Sequence, residues 1–564
     1  MLPTDIGMGK EFEIMSEIIK VNPEKCVGCN ACIRSCPAPE ANITTILEDG
    51  RFVTTVNPDR CIACGECVRN CSHGARDYID DLKDAMDAVR NREKLIILAT
   101  PSIKTVFPKK WKNILNWFRE QGCPVYDVSF GADICTWAHI RAIQNKMVDN
   151  IITQPCAAIV KYIETYQPAL LKNLSPIHSP ILCSVIYIKR YLKLTNKIAV
   201  LSPCVAKKNE FADTMLVDFN VTFQKLMEYF EANNITIHPD DNNDLTYTFD
   251  GEQGQMGAIY PKPGGLRDNL LLHDPDINIV TSEGVHRVYP ELDMYAKLSD
   301  SKKPRVFDVL SCEFGCNVGA GAGSQQTLFD IMQTMNDVES EASGRRKVQG
   351  GFFRASEDKI FKRFDAELML DDFIRKYKLR APSLEPTDEE LTEVFHCLGK
   401  YTEAEQNYNC HACGYASCKA MATAIYRGIN LPENCFVHAK SELMSEKSSL
   451  MSQHEKMSRI SADVENIARS MNAISKATHE TGTCRNDVDS LLNNVIQFCN
   501  NTQTMDKEGL TTLVQILEKA AAAFDGVNNN VQNTTENTAA INQQISDIRK
   551  LVTDIDSVLS GKEQ

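Results

Sequence analysis

Residues 26–37 read CVGCNACIRSCP, and residues 61–71 read CIACGECVRNC. Both runs repeat C-x2-C-x2-C-x3-C: Cys26, Cys29, Cys32 and Cys36, with Pro37 behind, then Cys61, Cys64, Cys67 and Cys71. That spacing wraps three thiolates round one corner of a 4Fe–4S cube and sends the fourth to the neighbouring cluster. Cys71 is therefore expected to complete the first cluster and Cys36 the second. Zinc sites pair two C-x2-C units rather than placing four cysteines in such a run. A buried pair of one-electron carriers is a wire, so the rest of the chain is expected to hold what the wire feeds.

A chain of 564 residues has room for about three to five domains, and 43% hydrophobic residues suffice for large cores. The 22 cysteines gather at metal-ligand spacings, which argues against disulfides and for a reducing, anaerobic cytoplasm. Residues 1–20 lack a basic region followed by an apolar one, so no signal peptide is expected. No apolar run approaches the roughly 18 residues of a membrane span. A net charge of −14 disfavours nucleic acid and suits a partner met through local basic patches.

Four regions follow. Residues 1–80 hold the dicluster module, with a leading strand over Phe12 to Val21. Residues 81–380 alternate apolar runs with amphipathic helical patterns. Leu95-Ile-Ile-Leu-Ala-Thr, Val125-Tyr-Asp-Val-Ser, Ile198-Ala-Val-Leu-Ser and Asn278-Ile-Val-Thr-Ser read as strands; Trp111 to Gln121 and Thr136 to Val148 read as helices. That alternation predicts an α/β fold, so the whole chain is a multidomain mixture of α+β and α/β parts. Beyond a polar link with Pro382 and Pro386, residues 390–438 hold another cysteine group. In 440–564 aromatics and proline nearly vanish, and apolar residues recur at 4-3-4-3 spacing. Ile460, Val464, Ile467, Met471 and Ile474 form one block. Val527, Val531, Thr534, Thr538, Ile541, Ile545, Ile548, Val552, Ile555 and Leu559 form the other. Such heptads predict a helical coiled-coil tail that self-associates, giving a homodimer, unless an intramolecular hairpin buries the same stripe.

Within 150–325 four of the five cysteines sit in three peptides, each after an apolar run: Thr153-Gln-Pro155-Cys156, Ser202-Pro203-Cys204-Val-Ala-Lys207-Lys208-Asn-Glu210, and Ser311-Cys312-Glu-Phe-Gly315-Cys316-Asn-Val-Gly319-Ala-Gly321. Four thiolates at strand ends can hold one 4Fe–4S cube, and the glycines let backbone approach it closely. Pro203-Cys204-x2-Lys207-x2-Glu210 resembles the second signature of iron-only hydrogenases, P-C-x-x-K-x-x-E. Cys312 to Gly321 resembles the third, and Thr153 to Val160 stands where the first, T-S-C-C-P-x-W, belongs. The leading module likewise resembles two-cluster bacterial ferredoxins. The resemblance covers residues 1 to about 370 and implies a two-lobed hydrogenase domain. Cys156, Cys204, Cys312 and Cys316 would hold the cube of an H-cluster, and Cys316 would bridge to a two-iron subsite bearing CO, cyanide and an azadithiolate. Lys207 would donate to a cyanide, with Glu210 in the same signature.

The departures from the family bear on protons. Pro155 occupies the place of the family's proton-carrying cysteine. Asp308 replaces a glutamate, and Leu310 and Ser202 replace methionines. On the helix after Phe130-Gly-Ala-Asp133, where the family carries a glutamate pair, stand Ala138, His139 and Ala142. His139 titrates near neutrality and can serve as a relay, or be an ordinary helix histidine. These changes resemble sensory and other divergent branches more than fast catalytic members.

Cys410-x2-Cys413-x4-Cys418-x16-Cys435 resembles a small four-cysteine 4Fe–4S domain of anaerobic redox proteins. Cys397 reads as a spare thiol, and Cys123, Cys135, Cys183, Cys484 and Cys499 as small hydrophobes or tail thiols. The tail resembles the signalling helices of chemotaxis receptors. Three 4Fe–4S clusters plus an H-cluster are thus expected, in a protein that interconverts H2 with protons and electrons, slowly, through ferredoxin or a similar carrier. A sensor of H2 or redox poise, signalling to a partner through its helices, is the alternative. A hydrogenase-like protein without the two-iron subsite is a weaker one.

Overall fold

Leu95–Ala99 buries every residue and Lys197–Ser202 all but its first, as expected of strands in a parallel sheet covered on both faces. The computed structural model describes residues 18–38, 40–240, 245–323, 326–350, 359–380 and 385–477, with helical pieces at 490, 492–497, 509–519, 543, 545–548 and 550. In chain order its strands are β1 Ile19–Val21, β2 Asn42–Ile46, β3 Phe52–Val56, β4 Arg76–Tyr78, β5 Leu95–Ala99, β6 Val125–Asp127, β7 Ile151–Ile152, β8 Lys197–Ser202, β9 Phe219–Thr222, β10 Ile279–Glu283 and β11 Val306–Leu310.

The dicluster module is two antiparallel pairs, β1 with β4 and β2 with β3. Beyond it lie two parallel sheets. One has the order β6-β5-β8-β9 and the other β10-β11-β7. The fold is a mixed α/β, multidomain one. A single apolar core joins Ile19, Ile62 and Tyr78 of the module to Ile159, Val205, Tyr289 and Val309 beyond it. The module is therefore fused to the parallel-sheet region rather than tethered.

Some elements differ from expectation. The run at Val125 ends as a strand at Asp127, whose carboxylate accepts from the Ser129 amide at 2.9 Å and caps the helix Val128–Gln144. Phe130 to Asp133 therefore lies inside that helix rather than before it. Gly131 lets the helix Pro180–Ile186 approach: an added Cβ would stand 2.0 Å from Ser184 Oγ. The leading strand is described only from Ile19; residues 12–17 of that expectation lie outside the described residues, as do Pro382, Cys484 and Cys499.

The chain divides into two compact units, Met1–Phe436 and Val437–Gln564. In the second, Ile460, Val464, Ile467, Ile545 and Ile548 of the expected stripe are buried, and so are Leu492, Val495 and Leu513 outside it. These five stripe positions are covered within one chain, so a second chain is not required to remove them from water. The side chains of Met471 and Ile474, and Val527, Val531, Thr534, Thr538, Ile541, Val552, Ile555 and Leu559, lie outside the described residues. Among the described residues no helix is long and apolar enough to cross a membrane.

Candidate metal centres

The three central cysteine peptides leave the C-terminal ends of parallel strands, the usual ligand side of such sheets. Cys156 follows β7 and caps the helix Ala157–Tyr166; Cys204 lies between β8 and the helix Lys207–Thr214; Cys312 and Cys316 follow β11. Close backbone packing draws the loops together. The Gly321 amide donates to the Pro203 carbonyl at 2.9 Å. A Cβ on Gly315, at φ +71°, would sit 2.0 Å from Pro261 O, and one on Gly319 2.3 Å from Pro203 O. Asp308 ties β11 to β7 by accepting from Thr153 Oγ1 at 3.0 Å.

The four thiols share one environment. Burial pushes Cys312 well above the ordinary thiol value, with Cys156, Cys204 and Cys316 adding to it. The same forces push Cys204 to about 11 and Cys316 to about 12. Buried thiols so placed ionise only when cations offset their charge, which is what iron supplies. The donor set fits one 4Fe–4S cube.

Beside Cys204 and Cys316 opens a cavity of about 70 Å³. Room for a water needs ~10–15 Å³ on this measure, so the space admits a small polyatomic group. Val128, Ala132, Ile181 and Leu310 give it apolar walls, and Pro155 and Tyr260 also line it. Lys207 reaches it from a buried position, its Nζ donating to the Pro155 carbonyl at 3.0 Å and to Glu210 at 2.5 Å. Glu210 also accepts from Arg375 at 2.7 Å. Burial raises the Glu210 pKa, but Lys207 and Arg375 outweigh it and hold the carboxyl below the usual range. Lys208 turns away to pair with Asp81. Among the described lining residues the ionisable ones are Cys204, Lys207, Tyr260 and Cys316, and burial holds the Tyr260 hydroxyl well above the ordinary phenol value.

His139 does not line that cavity. It is buried in its helix, with Nδ1 at 2.8 Å from the Cys135 carbonyl and Nε2 at 2.8 Å from Ser175 Oγ. Burial lowers its pKa, but neighbouring Cys135 raises it more. Ala138 and Ala142 are buried on the same helix.

In the dicluster module Cys36 sits among the second run. Burial raises Cys36 far above the thiol range, with Cys67 and Cys61 adding. Cys61 reaches about 11 for the same first cause. Cys32 lies near Cys67 of the second run as well as Cys26 and Cys29 of its own. Between the two sets lies Arg76. Its Nη2 donates to Asn42 Oδ1 at 2.9 Å and Thr54 O at 3.0 Å, buried Nη1 finds no such oxygen partner, and the guanidinium interacts instead with the Cys67 and Cys32 thiols. Its charge therefore lies against the expected cluster ligands. In the last set Cys410, Cys413, Cys418 and Cys435 all line one space of about 10 Å³. Cys397 is exposed and outside that lining; Cys123, Cys135 and Cys183 are buried.

Sequence reasoning missed Arg375 and Arg76. Arg375 lies in Phe373-Ile374-Arg375, with no motif to mark it, and matters only because the chain returns to Glu210. Arg76 stands five residues after Cys71, where a basic residue beside thiolates was a usable signal.

Comparison with known proteins gives matches to three domain models. The model described as "Iron only hydrogenase large subunit, C-terminal domain" matches residues 93–285, and "4Fe-4S dicluster domain" matches 16–75. Over residues 93–285 the chain is similar to the iron-only hydrogenase family. The model described as "Putative Fe-S cluster" matches residues 406–437 of this hydrogenase-like protein. An [FeFe]-hydrogenase structure, concerned with oxygen inactivation through its H cluster 2Fe subcluster, is 14% identical with a TM-score of 0.40 over 53% of this chain and 99% of that one. A single-residue variant of an [FeFe]-hydrogenase from Chlamydomonas reinhardtii is 14% identical with a TM-score of 0.39 over the same shares. No curated protein matches. The hydrogenase-like chain thus carries iron–sulfur domains on both sides of its central region.

Proposed function

We propose that the chain interconverts H2 with protons and electrons at the cavity beside Cys204 and Cys316, slowly, passing electrons along its iron–sulfur centres to or from a ferredoxin-type carrier. The observation that carries this reading is the joint placement of four buried thiols, a buried lysine and an apolar cavity at the ends of parallel strands. An H-cluster bound there supplies a two-iron site at which H2 is split or formed. Cys156, Cys204, Cys312 and Cys316 would hold its cube, with Cys316 bridging to the two-iron part. Lys207, aimed by Pro155 O and Glu210, sets a cation against anionic ligands in a dry site. Glu210 and Arg375 keep that cation in place.

Among the described residues lining the cavity no thiol stands apart from the expected cluster ligands, and the Lys207 ammonium is already committed to Pro155 O and Glu210. Pro155 offers neither thiol nor N–H, and the nearby hydroxyl of Ser202 is tied to Asn220 Oδ1 at 3.0 Å. General acid–base steps are worth ~10²–10⁴-fold, so turnover should trail that of relatives with a thiol at this place by about that much. Slow chemistry with intact ligands equally suits a second reading, a sensor of H2 or redox poise, favoured by the helix Phe436–Ala477 that starts directly after Cys435.

An infrared spectrum of the anaerobically matured protein tests the reading. CO and cyanide bands are expected, and Cys316→Ala should abolish them while Cys123→Ala leaves them unchanged. Bands that survive Cys316→Ala overturn the assignment. Pro155→Cys should raise hydrogen turnover; fast turnover in the unmodified chain would show another proton route, with His139 the first to test.

A further inference from the structure

The small domain around 410–435 meets the dicluster module through the loops that carry the ligands of both. Gly414, next to Cys413, has φ +91°, and a Cβ there would stand 3.0 Å from both Asn30 O and Ile33 Cβ. Asn30 follows Cys29 and Ile33 follows Cys32. On the other side of the contact Asn30 Nδ2 donates to Asn434 Oδ1 at 2.7 Å, and Asn434 precedes Cys435. Further along, the Thr44 amide donates to Ile429 O at 3.0 Å, and Arg427 pairs with Glu40 at 2.9 Å. Glu40 is itself buried and also paired with Arg60 at 3.3 Å. Buried Tyr415 lies between: burial pushes its hydroxyl up to about 12, and thiols of both domains, Cys413 on one side and Cys36 and Cys32 on the other, add to this.

A domain that only followed in sequence would have no reason to turn its ligand loops inward. Here those loops pack closely, at a glycine whose φ of +91° strains any other residue and where a Cβ would already crowd Asn30 O and Ile33 Cβ at 3.0 Å. Electron tunnelling falls steeply with distance, and this contact brings the ligand loops of two expected clusters together.

We propose that the cluster held by Cys410, Cys413, Cys418 and Cys435 exchanges single electrons directly with the dicluster module across the Gly414–Asn30 contact. One electron leaves one cluster, which is oxidised, and reduces the other; no bond or proton moves. The small domain is then a terminal of the wire, remote from the cavity. The opposite end of the module faces the cavity region, where a Cβ on Gly65 would fall 2.2 Å from that of Ala320. The proposal rests on iron–sulfur loading and not on hydrogen chemistry.

Electron paramagnetic resonance of the full, anaerobically reconstituted chain, reduced in steps with dithionite, tests it. The small-domain cluster should show fast relaxation and broadened lines from magnetic interaction with its neighbour. Cys410→Ala with Cys418→Ala should remove one cluster's iron and make the remaining dicluster signals relax several-fold more slowly. Dicluster signals unchanged by that loss overturn the proposal. Should the double variant also shed dicluster iron, Asn434→Leu with Arg427→Glu keeps every cysteine. With full iron it should weaken the interaction; full iron with an unchanged interaction overturns the proposal. Infrared bands report separately on the hydrogen reading, so the two can fail independently.

Discussion

Glu210 is the residue on which two cations converge deep in the protein, and its loss leaves both without a counter-charge. Breaking a buried pair by removing one partner costs about 3–5 kcal/mol. Glu210→Gln should therefore lower the free energy of unfolding in a denaturant titration by that much, with the iron content falling as the Lys207 loop loosens. The folded pKa lies below the unfolded value of about 4.3. The stabilisation is then complete above that value and lost as pH falls through the folded one, so acid should erase the difference between variant and wild type. A difference that persisted at low pH would place the effect elsewhere. Arg76 makes a second residue-scale case. Its buried charge favours the reduced, more negative state of the clusters beside it. A hydrogen bond to a charged group is worth about 1.5–3 kcal/mol, and a one-electron couple shifts 59 mV per tenfold. Arg76→Gln should lower a dicluster potential by roughly 60–130 mV in a spectroelectrochemical titration. An unmoved potential would mean that Nη1 does not face a cluster.

At the scale of elements, the close approach of the dicluster loop to the Cys316 loop is set by Gly65, at φ +78°, against Ala320. Gly65→Ala combines left-handed strain with a methyl clash, and overpacking of this kind costs about 1–3 kcal/mol. Thermal unfolding should show that loss, and freeze-quench spectroscopy should show slower electron passage between module and central cube. Adding Ala320→Gly should recover part of both; no recovery would mean that the clash is not the cause. The elements themselves were readable to different degrees. Leu95–Ala99 and Lys197–Ser202 announce themselves because a strand buried on both faces must be a continuous apolar run. The cysteine spacings were readable because ligand geometry is local. Val125-Tyr-Asp-Val-Ser read too long as a strand, since Asp127 acts as a helix cap, which alternation of polar and apolar residues does not reveal. Arg375 and the Asn30–Asn434 contact were invisible, since both join segments far apart in sequence and neither leaves a pattern of its own.

At the scale of the whole molecule, every expected iron ligand falls within Met1–Phe436, the last being Cys435. The helix that starts at Phe436 still contributes to that unit, because Phe436 lines the space shared by the last four cysteines. A cut placed immediately after Cys435 would open that space, whereas one after Leu450 leaves Phe436 and several helical turns behind it. The chain ending at Leu450 should hold as much iron as the full chain and give the same infrared bands and hydrogen turnover. Light scattering should return a monomer mass for the shortened chain, which lacks the stripe, and also for the full chain, whose Ile460, Val464 and Ile467 are covered within one chain, as their burial indicates. A full chain of twice the mass, falling to monomer on truncation, would return the helices to the role of a dimer interface. Lost iron in the shortened chain would show that Val437–Gln564 also steadies the small domain, and so that cluster chemistry and helices are mechanically linked, as a sensor requires.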